Sequence, residues 1–112
     1  MLFRSIGVEP AASPLLTEGK AAPHKIAGIG ANFVPKNYRP EHIDRILTVT
    51  DDEAAATARL AARDEGLFIG ISSGAALAVA LRLSRTPAYA NKRLLALLPD
   101  SGERYLSTWM FE

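Results

Sequence analysis

Short hydrophobic runs alternate with polar and helix-periodic stretches along the whole chain. Residues 3–8 form an apolar run that ends at Glu9-Pro10. Proline there removes a backbone donor and restricts the residue before it, so the run predicts one buried strand. Between Pro10 and Pro40 the sequence also carries Pro14, Pro23, Pro35 and the Gly28-Ile29-Gly30 turn, which predicts an ordered loop of the kind that serves a site. Residues 45–50 are rich in β-branched side chains and predict a second strand. Thr50 then reads as a helix N-cap, with Glu53 completing a capping box and Asp51 and Asp52 facing the positive helix end. Ala54, Ala58, Ala61 and Ala62 lay a narrow small-residue stripe along that helix, and Gly66 marks its stop.

Residues 67–69 predict a brief strand, and Gly70-Ile71-Ser72-Ser73-Gly74 a turn into a second helix over residues 75–83. The unbroken apolar run at residues 94–98 predicts a strand buried on both faces of a parallel sheet. This alternation of strands and helices predicts an α/β fold. The loop Pro99-Asp100-Ser101-Gly102 follows the carboxyl end of that last strand, where open α/β sheets place their ligands. A strand of this type must be covered on both faces and paired on both edges, which is more than these few elements supply. The chain therefore reads as part of a larger sheet.

Composition narrows the classes. A chain of 112 residues allows one domain or part of one. Thirteen basic against twelve acidic residues leave +1, a balance that excludes a polyanion binder and so a nucleic-acid partner. The absence of cysteine excludes a disulfide framework, a cysteine-based metal centre and a thiol nucleophile, and is compatible with a reducing, cytoplasmic setting. No apolar run approaches the ~20 residues of a membrane helix, and Met1-Leu2-Phe3-Arg4-Ser5 lacks the basic and apolar regions of a signal peptide. No metal site is predicted.

Gly70-Ile71-Ser72-Ser73-Gly74 matches the G-x-S-x-G nucleophile elbow of serine hydrolases. That chemistry needs its histidine downstream of the serine, whereas His24 and His42 both lie upstream, which argues against it. The same turn serves equally as a helix N-terminus whose N–H groups face a ligand, with Ser72 or Ser73 as a neutral hydrogen-bonding partner, or as a simple serine cap. Gly28-Ile29-Gly30-Ala31 lacks the third glycine of a dinucleotide loop, Phe33 standing in its place. It reads either as a backbone segment free to approach a flat ligand or as a plain turn. His24 is expected to be a structural hydrogen-bonding residue. Glu103-Arg104-Tyr105 is expected either to organise the preceding loop or to form an exposed turn.

The blocks His24-Lys25-Ile26-Ala27-Gly28-Ile29-Gly30-Ala31, Gly70-Ile71-Ser72-Ser73-Gly74-Ala75-Ala76, Leu98-Pro99 and Ser101-Gly102-Glu103-Arg104-Tyr105-Leu106-Ser107-Thr108, with Val8-Glu9-Pro10 and Ser13-Pro14 upstream, occur in this order. Together they resemble the cysteine synthase (O-acetylserine sulfhydrylase) family of fold type II pyridoxal-phosphate enzymes, over nearly the whole chain. The resemblance implies that residues 1–112 are the C-terminal part of the large cofactor-binding domain, a partial three-layer α/β/α unit with a mostly parallel sheet. It implies elimination of acetate from O-acetylserine followed by addition of sulfide to give cysteine, with pyridoxal 5'-phosphate as cofactor.

By the same resemblance Ser72, Ser73 and Pro99 bind the cofactor, Ser72 through its pyridine nitrogen, and Gly28, Ile29, Gly30 and Ala31 border the substrate. A neutral hydroxyl leaves that nitrogen unprotonated and so moderates the electron sink. Asp100 stands where the family often has serine. The family's Schiff-base lysine, its substrate loop and its phosphate loop have no counterpart here, since Lys20, Lys25, Lys36 and Lys92 do not match that lysine. No catalytic residue is therefore assigned, and the chain alone is expected to be inactive. A related β-replacement enzyme such as cystathionine β-synthase, or a non-catalytic remnant or interaction module, is the alternative. Family members are usually homodimers and can bind the C-terminal tail of serine acetyltransferase.

Overall fold

The computed structural model describes residues 3–111; the part of the N-terminal reading that rests on Met1 and Leu2 lies outside them. Strand β1 (Ile6–Pro10) pairs in parallel with β2 (Arg45–Val49), Ile6 opposite Arg45 and Pro10 opposite Val49. The strand runs two residues past the predicted stop because Pro10 occupies its last position, and the Ala11 N–H carries the ladder on to the Val49 carbonyl at 2.8 Å. Phe3 stays outside the strand and is 70% exposed, so the expected apolar start is not buried.

Parallel strands need a long crossover, and residues 11–44 provide it as loop with one short α-helix, α1 (Leu15–Glu18), and a 3-10 turn at Pro40–His42. Glu9, buried at the end of β1, holds that helix. Its carboxylate accepts the Leu16 and Thr17 N–H groups at 2.8 and 2.9 Å and the Thr17 hydroxyl.

Helix α2 (Asp51–Glu65) starts as its sequence dictates. The Thr50 hydroxyl accepts the Glu53 N–H at 3.0 Å, and the Glu53 carboxylate accepts the Thr50 N–H at 3.3 Å. The helix ends at Gly66 with φ 68°, a left-handed cap that glycine adopts without penalty. Helix α3 (Ile71–Ser84) packs on α2 through small residues: Gly74 sits against the Ala54 carbonyl and Ala58, with Ala55, Ala61, Ala75 and Ala78 buried in the same core. Ala62 is only partly buried, so the stripe turns through Ala55 instead. The other side of α3 carries the two strands. Arg82 locks the three elements, donating to the Thr48 carbonyl at 3.0 Å and to Glu53 at 2.7 Å.

Two expected strands are absent among the described residues. Residues 67–69 contribute only an isolated antiparallel bridge, Ile69 opposite Ser101. Residues 94–98 carry no strand pairing, and Leu95 and Leu97 are 97% and 80% exposed. A strand exists only through its neighbours, and neither β1 nor β2 lies beside this run.

The last residues fold back as short 3-10 turns, Gly102–Tyr105 and Trp109–Phe111. Met110 is fully buried and its carbonyl accepts from Arg59 at 2.5 Å, while Phe111 tilts against Phe68 with ring centroids 5.6 Å apart.

Candidate functional site

Two loops meet the first turn of α3. The first, residues 26–31, is shaped by His24. Its Nδ1 accepts the Ile26 N–H at 3.1 Å, and its Nε2 lies 2.6 Å from the Gly30 carbonyl, to which it must donate. These two bonds require the neutral Nε2–H tautomer. His24 is thus the structural residue that the sequence indicates. Gly28 (φ 101°) and Gly30 (φ 60°) supply the left-handed turns that the loop needs. A Cβ on Gly30 would come within 2.6 Å of both His24 Nε2 and Pro10 Cγ, so side chain and loop interlock.

The second component is the first turn of α3. Gly70, in extended conformation, is the N-cap, so Ser72 and Ser73 lie inside the helix rather than capping it. The helix therefore starts four residues earlier than residues 75–83 predict. Both serines are buried, Ser73 completely. Ser72 lies beneath the glycine loop: a Cβ built on Gly28 would stand 3.3 Å from Ser72 Oγ.

The third component, Asp100, comes from residues 99–105. Its Oδ1 accepts the Ser73 N–H at 3.0 Å and the Ser73 hydroxyl, its N–H donates to Ser73 Oγ at 3.0 Å, and its carbonyl accepts the Gly70 N–H at 3.1 Å. Oδ2 accepts the Tyr105 hydroxyl at 2.8 Å. A side chain on Gly70 would overlap this carboxylate, which explains glycine there. Burial pushes the Asp100 carboxyl pKa up. Bonds from the Ser73 hydroxyl, Tyr105, the Ser73 N–H and Ser72 outweigh it and hold the group below the usual carboxylate range. Burial, the Asp100 bond and its charge raise Tyr105, which stays a phenol and a donor.

Of the residues singled out in the sequence, Gly28 and Ser72 are adjoining, and Ser73 is joined to Asp100. Ile29 and Gly30 are partly buried, while Ala31 and Pro99 are exposed. Tyr105 organises the loop as one reading of Glu103-Arg104-Tyr105 holds; Glu103 and Arg104 are exposed. Asp100 was legible only as a loop residue, because its partner Ser73 lies 27 positions away. The four lysines are all exposed, and Lys25 Nζ sits 5.1 Å over the Trp109 ring. Among the described residues no cluster of three metal-ligating side chains occurs, and no helix is long and apolar enough to cross a membrane.

A pyridoxal-phosphate dependent enzyme family model matches residues 3–100. A cysteine synthase of Haemophilus influenzae is 50% identical over 96% of this chain and 36% of its own length. Cysteine synthase A of Escherichia coli K12 is 45% identical over 96% of this chain and 35% of its own length. The solved cysteine synthase of Entamoeba histolytica superposes with a TM-score of 0.94 at 37% identity, over 96% of this chain and 32% of that one. An O-acetylserine dependent cystathionine beta-synthase of Helicobacter pylori gives 0.85 at 39% identity, over 98% and 35%. The chain thus spans about a third of the length of these relatives.

Proposed function

This chain belongs to the pyridoxal-phosphate dependent enzyme family, and on that footing we propose that it is the C-terminal third of a cysteine synthase, part of the large domain that holds the cofactor. The whole protein would form cysteine and acetate from O-acetylserine and sulfide. The observation that carries this reading is the placement of Ser72 Oγ under the backbone of Gly28, at the head of a helix. A side chain at position 28 would crowd that hydroxyl, its Cβ 3.3 Å from Ser72 Oγ, and glycine removes this obstacle to a flat pyridine ring.

In this reading Ser72 gives the ring nitrogen a neutral hydrogen bond near the positive end of α3. Ser73, held by Asp100, fixes the first helical turn, and Pro99 closes the rim. Gly28, Ile29, Gly30 and Ala31 present backbone to the substrate side, kept in shape by His24. The cofactor, when bound, supplies the electron sink for loss of the β-substituent. None of Lys20, Lys25, Lys36 and Lys92 matches the family's Schiff-base lysine, so the isolated chain is inactive in this proposal. The setting is cytoplasmic, the complete enzyme is a homodimer, and the serine acetyltransferase tail is a candidate partner.

The test is a hybrid in which residues 3–111 replace the matching third of the Haemophilus influenzae cysteine synthase. Cysteine formation from O-acetylserine and sulfide, lowered by Ser72→Ala with cofactor still bound, is the expected result. A hybrid that binds the cofactor yet shows the same rate and spectrum with Ser72→Ala reduces Ser72 to a helix residue. Similarity to the Helicobacter pylori enzyme over 98% of the chain favours a second reading, β-replacement with homocysteine in place of sulfide. Offering both nucleophiles to the same hybrid separates the two.

A further inference from the structure

Asp100 has no part in the function proposed above beyond holding Ser73, yet it is bonded more extensively than a helix cap requires. A cap needs one oxygen on one or two free N–H groups. Asp100 takes the Ser73 N–H and hydroxyl on one carboxylate oxygen and the Tyr105 hydroxyl on the other, and it returns its own N–H to Ser73 Oγ at 3.0 Å. The Ser73 hydroxyl therefore spends both its proton and a lone pair inside the protein. Ser72 is its neighbour, about 100° away round the helix, and its hydroxyl borders Gly28. The two adjacent hydroxyls, indistinguishable in the sequence, thus differ: Ser73 is wholly engaged by Asp100, whereas Ser72, the weakest of the groups acting on that carboxylate, also borders Gly28.

We propose that Asp100 is a positioning residue for Ser72: by locking Ser73, Gly70 and Tyr105 it fixes the first turn of α3 so that the Ser72 hydroxyl is held beside Gly28 for a ligand ring nitrogen. This rests on the reading of Ser72 given above. Nothing bonded to Asp100 is a cation, so its charge is held by the Ser73 N–H and by hydroxyl groups, and loss of the carboxylate is felt first at Ser73 and Tyr105. Asn keeps an acceptor for the Ser73 N–H, whereas Leu keeps the volume and removes every side-chain bond.

The experiment uses the hybrid enzyme loaded with pyridoxal 5'-phosphate, in the forms Ser72→Ala, Asp100→Asn and Asp100→Leu. Asp100→Leu is expected to shift the absorption band of the bound cofactor in the same direction as Ser72→Ala and to weaken its retention about tenfold, the loss of one well-made bond. Asp100→Asn restores most of both. A spectrum that moves with Ser72→Ala but not with Asp100→Leu overturns the inference and leaves the role of Ser72 standing. A spectrum that moves with neither overturns both. An independent readout comes from the 112-residue chain by NMR, where Asp100→Leu must shift the Ser72 and Ser73 amides and speed exchange of the Ser73 N–H. Unmoved amides there refute the clamp without reference to the cofactor.

Discussion

Gly74 lies so close to the main-chain carbonyl of Ala54 that a Cβ at position 74 would overlap that oxygen and press on Ala58 Cβ at 3.0 Å. The contact lets α2 and α3 approach backbone to backbone, and it sets the position of the first turn of α3 two residues away from Ser72.

Gly74→Ala tests this contact. Alanine favours the helix intrinsically by up to ~1 kcal/mol, but the obstacle is backbone and cannot rotate away. Forcing the helices apart costs ~1–3 kcal/mol, so the net change is destabilising. Thermal unfolding of the variant is expected several degrees below the parent chain. An equal or higher Tm would mean that the helices slide apart freely and that the close approach does not position the site.

His24 gives a second prediction. Replacing it by alanine removes both the acceptor for the Ile26 N–H and the donor to the Gly30 carbonyl. Each lost bond is worth ~0.5–1.5 kcal/mol, and the loop, not the helices, bears the loss. Faster amide exchange confined to residues 26–31 is the expected signature, with α2 amides unchanged. Uniform loss of protection would contradict a local role.

The capping box and Gly66 were readable because each partner lies within a few residues of the other and backbone geometry alone decides the outcome. Ser73 with Asp100 was not, since the bond joins positions 27 apart and either serine fits the local pattern. Residues 94–98 carry the composition of a central strand and still form none among the described residues. Apolar content reports what a segment can bury, and pairing depends on neighbours that a local pattern does not contain. Helix α3 starts at Ile71, ahead of its local pattern, in which glycine and serine read as turn residues. The Asp100 carboxylate that extends the helix over them comes from another loop.

Acid sensitivity follows from Glu53. Burial raises its pKa, but the bonds from Arg82 and Thr50 and the Arg82 charge outweigh that and bring it below the ordinary glutamate value. A carboxyl whose folded pKa is depressed adds stability that is complete above its unfolded value of about 4.3 and is lost as pH falls through the folded pKa. Glu53→Gln keeps the capping geometry and removes the ion pair with Arg82, which is half exposed and worth ~0.2–1 kcal/mol. Denaturation followed from pH 7 to pH 3 is therefore expected to show parent and variant differing slightly at neutral pH and converging below pH 4. Curves that stay parallel would exclude Glu53 from the acid response.

Leu95 and Leu97, 97% and 80% exposed, lie in an extended apolar run with no strand partner among the described residues. Water gains little from such a surface, and open backbone groups beside it invite pairing with another copy of the chain. Leu95→Lys with Leu97→Lys removes the apolar side chains and adds two charges without touching α2, α3 or the strands. The 112-residue chain carrying both changes is expected to sediment as a smaller, more soluble species with its Tm unchanged. In the hybrid enzyme, where the proposed large domain would bury this run, the same pair should instead lower stability, each lost leucine costing ~2–5 kcal/mol when buried. Opposite effects in the two settings would establish residues 94–98 as a strand waiting for its sheet, whereas harmless substitutions in the hybrid would show that the run is surface in both.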